Sequence, residues 1–197
     1  MKDYSQNKEQ AVIVTYFGSK KGSFLDIGAH DGIDMSNTMC LIELGWTGVC
    51  LEPSMPVFES LQKNYKSFPV KLINKALSNK TGKILLYDAG GCGASTTEEK
   101  LKNQWVSGGC CKFTEVHTPC ISSEDLLKEV GKFHNFVNID TEWTSQENLF
   151  NLISAGLKFN LLCVEHDDKP DEIVSNLPIG IREHYRNNVN VIIEDGR

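Results

Sequence analysis

The stretch FLDIGAHDGI, residues 24 to 33, constrains this chain more than any other. An apolar run stops at Asp26, glycines stand at Gly28 and Gly32, and an amphipathic segment begins soon after, which predicts a strand, a tight turn and a helix. Nineteen residues beyond Ile33, a second apolar run, GVCLEP, reaches Glu52. A carboxylate at the end of a parallel neighbouring strand is placed to take two ribose hydroxyls. The two features together predict an α/β protein that holds a nucleotide-like ligand. The strand-to-helix turn of a non-binding α/β domain would share the glycine motif, and Glu52 in phase with it favours the binding reading.

The 197 residues, 40% of them hydrophobic, fit one domain spanning 1–197, large enough to bury roughly 70% of the surface its unfolded form exposes. Twenty-six acidic residues against twenty basic ones give a formal net charge of −6. No long basic run offers a phosphate track, so nucleic acid is not expected as a partner. No segment approaches the roughly 20 apolar residues of a membrane span. MKDYSQNKEQ lacks a charged-then-apolar leader pattern, and the expectation is a soluble, cytoplasmic protein without a membrane partner. The seven cysteines are an odd number, and Cys50 and Cys163 sit inside apolar runs, which predicts free thiols in a reducing compartment. Cys92, Cys110, Cys111 and Cys120 are an alternative metal set, but none of their spacings is C-x-x-C.

Periodicity predicts an amino-terminal helix at about 5–17, a strand at 23–27, a helix at 34–45, a strand at 47–51 and a helix at 54–65. Ser54 is the predicted cap of that last helix, with Pro56 in its first turn. VKLIN (70–74) and KILLY (83–87) read as strands flanking a turn. Residues 88–113 turn to glycine, serine, threonine and charge, and read as a long mobile loop. Order resumes with FTEVHTPCI and a helix opened by Ser122 or Ser123. Then come the strand FVNID (136–140), a helix at 144–155, the run NLLCVEHD (160–167) and a final strand in NVIIEDGR.

Four strands thus end in carboxylates: Asp26, Glu52, Asp140, and the group Glu165, Asp167 and Asp168. Ligands of open parallel sheets sit outside the carboxyl ends of the strands, so these residues are expected to converge. The glycine turn selects among cofactors. A pyrophosphate fingerprint needs G-x-G-x-x-G, whereas here Gly28, Ala29, His30, Asp31 and Gly32 follow one another, and Asp31 would repel a phosphate. A ligand with a cationic centre and no phosphate tolerates that acidity, and S-adenosylmethionine carries a sulfonium and an ammonium. Glycines at 28 and 32 let the main chain approach it.

YSQNKEQ, FLDIGAHDG, SNT (36–38), ELGWTGVCLEP (43–53), KALSN (75–79), GAS (93–95) and NID-x-E (138–142) together resemble the FkbM family of methyltransferases, over residues 4 to about 168. The resemblance implies a class I methyltransferase, with a Rossmann-like, mostly parallel sheet and helices on both faces. It also implies S-adenosylmethionine as cofactor and O-methylation of a hydroxyl on a sugar or small natural product. On that basis Asp26, Gly28 and Gly32 line the methionine end and Glu52 takes the ribose. Pro53, Ser54 and Ala76 border the adenine, Ser36 and Asn37 support the glycine turn, and Ser95 matches the family pattern in the loop. Ser5, Gln6 and Glu9 match an amino-terminal S-Q-x-G-E-D pattern from which Lys8 and Gln10 depart. The largest departure lies where the family reads D-V-E-G and this chain has Asp140, Thr141, Glu142 and Trp143. An indole there is expected to reshape the acceptor pocket, stacking on a sugar or blocking the ordinary acceptor.

Methyl transfer from a sulfonium is an in-line displacement, so positioning and a base carry the rate. Asp140 is the first candidate for the base or for orienting the acceptor and Glu142 the second, against the alternative that both merely cap the following helix. Glu165, His166, Asp167 and Asp168 with Asp140 offer hard oxygen ligands for magnesium. The expected site is nevertheless metal-free, the group reading as a solvated turn before Lys169 and Pro170. His117 and His134 read as structural, and Trp46 as core. Trp105 and the stretch 90–109 could close over the ligand. Two other readings stand beside methyl transfer: a catalytically silent member that binds cofactor or a partner, and a nicotinamide-dependent oxidoreductase, which the glycine spacing disfavours.

Overall fold

A computed structural model describes residues 2–91, 93–109 and 111–197. The chain begins with α1 (Glu9–Phe17), β1 (Ser23–Ile27), α2 (Met39–Glu43), β2 (Thr47–Leu51), α3 (Met55–Tyr65) and β3 (Val70–Ile73). It continues through β4 (Ala76–Ser78), β5 (Gly82–Asp88), α4 (Glu99–Ser107), β6 (Thr114–Ser122) and α5 (Ser123–Val130). It closes with β7 (Phe133–Ile139), α6 (Ser145–Ser154), β8 (Lys158–Glu165), α7 (Pro170–Ser175), β9 (Ile181–Arg186) and β10 (Asn190–Asp195).

Seven strands form one sheet in the order β3-β2-β1-β7-β8-β10-β9. Pairings from β3 across to β8 are parallel, and β10 runs antiparallel to both β8 and β9. The continuous apolar character of β1, β7 and β8 follows from this placement, because a parallel strand covered on both faces has no solvent side. Strand alternation sorts the core into two layers. Leu25, Ile27, Val137, Ile139, Leu162 and Val164 pack with Leu126, Leu127, Leu149 and Leu152 of α5 and α6. Phe24, Cys50, Phe136, Leu161 and Cys163 pack on the other face with Ile13, Phe17, Leu41, Phe58 and Leu61 of α1, α2 and α3. Trp46 joins that second layer, fully buried, with its Nε1 donating to the Lys20 carbonyl at 3.0 Å.

Between β3 and α5 the chain builds a second sheet of three strands, β4-β6-β5, with β4 parallel and β5 antiparallel to β6. Several expectations change here. The stretch 88–113 is not a structureless loop: Thr96 pairs with Tyr87, and α4 occupies residues 99 to 107 with Leu101 buried. The first helix begins at Glu9 rather than at residue 5. The second is only five residues long, because Met35 takes a left-handed φ of 55° and Ser36 Oγ accepts from the Thr38 and Met39 amides, delaying the helix start. β9 and α7 had no sequence expectation. His134 lies inside β7, buried, and His117 is exposed on β6.

Cys40, Cys50, Cys120 and Cys163 are free and buried, as apolar surroundings dictate. Cys111 is disulfide-bonded, which corrects the reading of all seven cysteines as free thiols and removes Cys111 from any thiolate metal set. Cys92 and Cys110 lie outside the described residues. Among the described residues, no helix is long and apolar enough to cross a membrane.

Candidate active site

The strand order reverses between β1 and β7: the chain winds outward through β2 and β3, then returns to the other side of β1. Helices diverge at such a point and leave a crevice at the carboxyl ends of the strands. A cavity of about 380 Å³ opens there, lined by Asp26, Gly28, Leu51, Asn138 and Asp140 at the strand ends of the large sheet, by Ala76 and Leu86 of the small sheet, and by Ser95 and Thr96 from the segment after β5.

The glycine turn is built by main-chain bonds. Gly28 and Ala29 both donate to the Leu51 carbonyl, at 3.0 and 2.9 Å, and Asp140 donates to Ile27 at 2.9 Å. Gly28 has a φ of 84°, and a Cβ on it would stand 1.6 Å from the Asp140 carbonyl oxygen, so no other residue fits. Gly32 answers to different neighbours. A Cβ there would meet the Tyr65 ring at 2.5 Å, and Tyr65 Oη donates to its carbonyl at 2.7 Å. It packs the turn onto α3 and is not among the cavity-lining residues.

Glu52 is buried at the end of β2. Its Oε2 accepts from the His30 amide at 3.0 Å and its Oε1 from the Ser54 amide at 2.8 Å. Burial pushes its carboxyl up to about 7, the two amides opposing that shift. Both oxygens keep a lone pair free, so a carboxylate fixed in this way can still accept from a ligand's hydroxyls. Asp26 is likewise buried and pushed up to about 6 by desolvation. Thr38 Oγ1 at 2.5 Å and Asn138 Nδ2 at 2.9 Å hold its oxygens. Asn37 Nδ2 in turn donates to Asn138 Oδ1 at 3.0 Å, making one chain of bonds from β1 through β7 to the start of α2.

Of the expected site residues, the structure brings Asp26, Gly28, Ser36, Asn37, Glu52, Pro53, Ala76, Ser95, Asp140 and Glu142 to the cavity wall. Ser54, like Gly32, is outside it; its hydroxyl donates to Asp88 Oδ1 at 2.8 Å, and its amide orients Glu52. Ser95 reaches the same Asp88 oxygen at 3.2 Å and accepts from Ala89 at 3.0 Å, which anchors the segment over the cavity. Trp105 also lines the wall, whereas Trp143 does not: its indole is 45% exposed, against the expectation that it reshapes the pocket.

Sequence reasoning missed Val189 as a wall residue, and passed over Gln6, His30, Asn138 and Thr141 although all four lie in motifs already noted. His30 has a left-handed φ of 50° and two buried ring nitrogens without a hydrogen bond, Nδ1 standing 3.7 Å from Asp31 Oδ1. Asp140, Glu142 and Glu165 converge at the far end, each offering an oxygen within 4.8 Å of the others. Burial holds all three carboxyls above the ordinary range, repulsion from neighbouring acids adds to it at Glu142 and Glu165, and Glu165 shares a hydrogen bond with Asp140. Asp167 is turned away to accept from the Trp143 amide at 3.1 Å, Asp168 is exposed, and His166 is buried against the Asn187 carbonyl.

No protein-family profile matches the chain, and no curated protein matches it. Solved structures do. The Thermus thermophilus 16S rRNA N2 G1207 methyltransferase RsmC, in complex with S-adenosylmethionine and guanosine, aligns over 100% of this chain and 44% of its own, at 12% identity and a TM-score of 0.57. The ribosomal protein L11 methylase of Lactobacillus delbrueckii subsp. bulgaricus aligns over 100% and 81%, at 9% identity and 0.54. The Escherichia coli protein yhhF aligns over 98% and 88%, at 12% identity and 0.54. The chain therefore has the class I, Rossmann-like methyltransferase fold: a mostly parallel seven-stranded sheet with helices on both faces.

Proposed function

We propose that this protein is an S-adenosylmethionine-dependent methyltransferase acting on a hydroxyl of a sugar or small natural product. The observation that carries the reading is Glu52, a buried carboxylate held open by the His30 and Ser54 amides at the switch-point crevice. In that reading Glu52 takes the ribose hydroxyls, and Pro53, Ala76 and Ser95 border the adenine. Asp26, Gly28, Ser36 and Asn37 surround the methionine end, and Gly32 and Ser54 act through the turn and through Glu52. The FkbM-like motifs support the same assignment.

Methyl transfer needs the acceptor oxygen, methyl carbon and sulfur in line. Asp140 stands where the acceptor would enter and orients the hydroxyl or takes its proton, with Glu142 beside it. The rRNA and ribosomal-protein methylases among the fold neighbours suggest larger acceptors. The net charge of −6 and the three carboxyls at the acceptor end oppose a phosphate backbone, which favours a small molecule or glycan.

Titration calorimetry with S-adenosylhomocysteine tests the cofactor directly. Saturable binding to the folded chain is expected, and none at millimolar ligand would sink the proposal. Binding without transfer to any of a broad panel of glycans and small hydroxyl compounds would instead identify a silent cofactor-binding protein.

A further inference from the structure

We propose that Asp140, Glu142 and Glu165, together with the side-chain oxygen of Asn37, bind one divalent metal ion at the acceptor end of the cavity. The sequence alone had favoured a metal-free site. What changes the reading is how two neighbouring strands and one turn bring the oxygens together.

β7 and β8 pair in parallel with Ile139 opposite Val164, so Asp140 and Glu165 emerge side by side. Glu142 is folded back onto them by a turn in which it and Trp143 have φ of 46° and 72°. The three acids present oxygens within 4.8 Å of one another. Among the described residues, the basic side chains in this wall are His30 and Lys75. The charges acting most directly on Glu142 and Glu165 are those of other acids.

Asn37 supplies an independent observation. It lines the same cavity and is only 5% exposed, and its Oδ1 has no partner. The direction of its amide is set by a relay: Asp26 accepts from Asn138 Nδ2, Asn138 Oδ1 accepts from Asn37 Nδ2, and the oxygen is left over. The atoms its nitrogen touches belong to Asn138 and Cys163, each two residues before Asp140 and Glu165 and on the same sheet face. A buried acceptor without a donor, one pleat from three clustered acids, calls for a cation. An all-oxygen set of carboxylates and an amide suits magnesium or manganese rather than zinc or copper.

The role of the ion rests on the proposed methyl transfer. It would draw the acceptor hydroxyl to the cluster and make it more acidic. With the ion bound, Asp140 serves as a ligand and not as the base, so the hydroxyl proton leaves to water and the oxygen forms the C–O bond. The S–CH3 bond breaks with its electron pair remaining on sulfur, giving a neutral thioether.

Mn2+ titrated into the metal-free 197-residue chain, followed by electron paramagnetic resonance and calorimetry, tests the site without any methyl transfer. One saturable ion is expected, bound about tenfold or more weakly in Glu165→Gln and in Glu142→Gln. Both variants should keep wild-type affinity for S-adenosylhomocysteine. Should Glu165→Gln fail to fold by circular dichroism, Glu142→Gln on the turn carries the comparison. Absence of Mn2+ binding to the wild type, or unchanged binding in the folded variants, overturns the proposal. Mn2+ binding without S-adenosylhomocysteine binding would leave the ion site standing and remove the methyltransferase reading.

Discussion

The amide of Trp143 donates to Asp167 Oδ1 at 3.1 Å, and both residues hold left-handed backbone, with φ of 72° and 48°. Glu142 and Asp168 beside them are left-handed as well, at 46° and 61°. Two adjacent strand ends thus carry paired strained turns pinned to each other. Non-glycine residues in this region cost of order 1–3 kcal/mol each, and such strain collects at functional sites. Here it holds Glu142 against the cavity, with Thr96 Oγ1 donating to the Glu142 carbonyl from above at 3.1 Å.

Trp143→Gly should therefore leave stability within about 1 kcal/mol of wild type, because the indole is half exposed and glycine accepts the positive φ. Urea denaturation checks this. With an acceptor in hand, a change in KM at constant kcat would assign the indole to acceptor binding, and no change would assign it to the surface.

Gly28→Ala places a methyl against the Asp140 carbonyl and forces a positive φ on alanine. The expected loss is roughly 2–5 kcal/mol of stability, from strain and overpacking together. A midpoint in denaturant equal to wild type would mean that the ends of β1 and β7 are less tightly joined than described.

Glu52→Ala removes a buried carboxylate proposed to accept from ribose hydroxyls. A charge-assisted pair is worth roughly 1.5–3 kcal/mol, so S-adenosylhomocysteine should bind about ten to a hundred times more weakly. Calorimetry reads the difference, and an unchanged affinity would take Glu52 out of the cofactor site.

The same carboxylate makes the ligand-free protein sensitive to pH. Burial raises Glu52 to about 7 and Asp26 to about 6, so between pH 4 and 7 the folded chain holds protons that the unfolded chain has released. Stability from these groups is complete below pH 4 and falls as pH rises through that window, by about 3 kcal/mol for Glu52. His134, buried and lowered, acts in the opposite sense: its stabilisation is present above pH 6.5 and lost on acidification. Melting curves from pH 5 to 8 should show Glu52→Gln less destabilised by alkali than wild type, and parallel curves would refute the assignment.

The core strands were legible because each is a local pattern. SFLDI ends at Ile27, one residue past Asp26, TGVCL ends just before Glu52, and the apolar runs of 136–140 and 160–167 fall within β7 and β8, give or take a residue or two. The short and irregular elements were not legible. β4 has three residues and pairs with β6 some forty positions away, and α4 hides in a polar stretch whose single buried residue is Leu101.

From the sequence alone came the alternation of strand and helix, the glycine turn, and Glu52 as its companion carboxylate, all written in spacings of one to twenty residues. Tertiary structure alone decided that Gly32 and Ser54 support the wall rather than form it. It also decided that Asn37 bonds to Asn138 across 101 positions, and that Glu165 rather than Asp167 faces Asp140. A hydrophobic period tells which face of a strand is buried, but the partner across the sheet is chosen by register. Register is fixed by the packing of the whole core, not by any one segment.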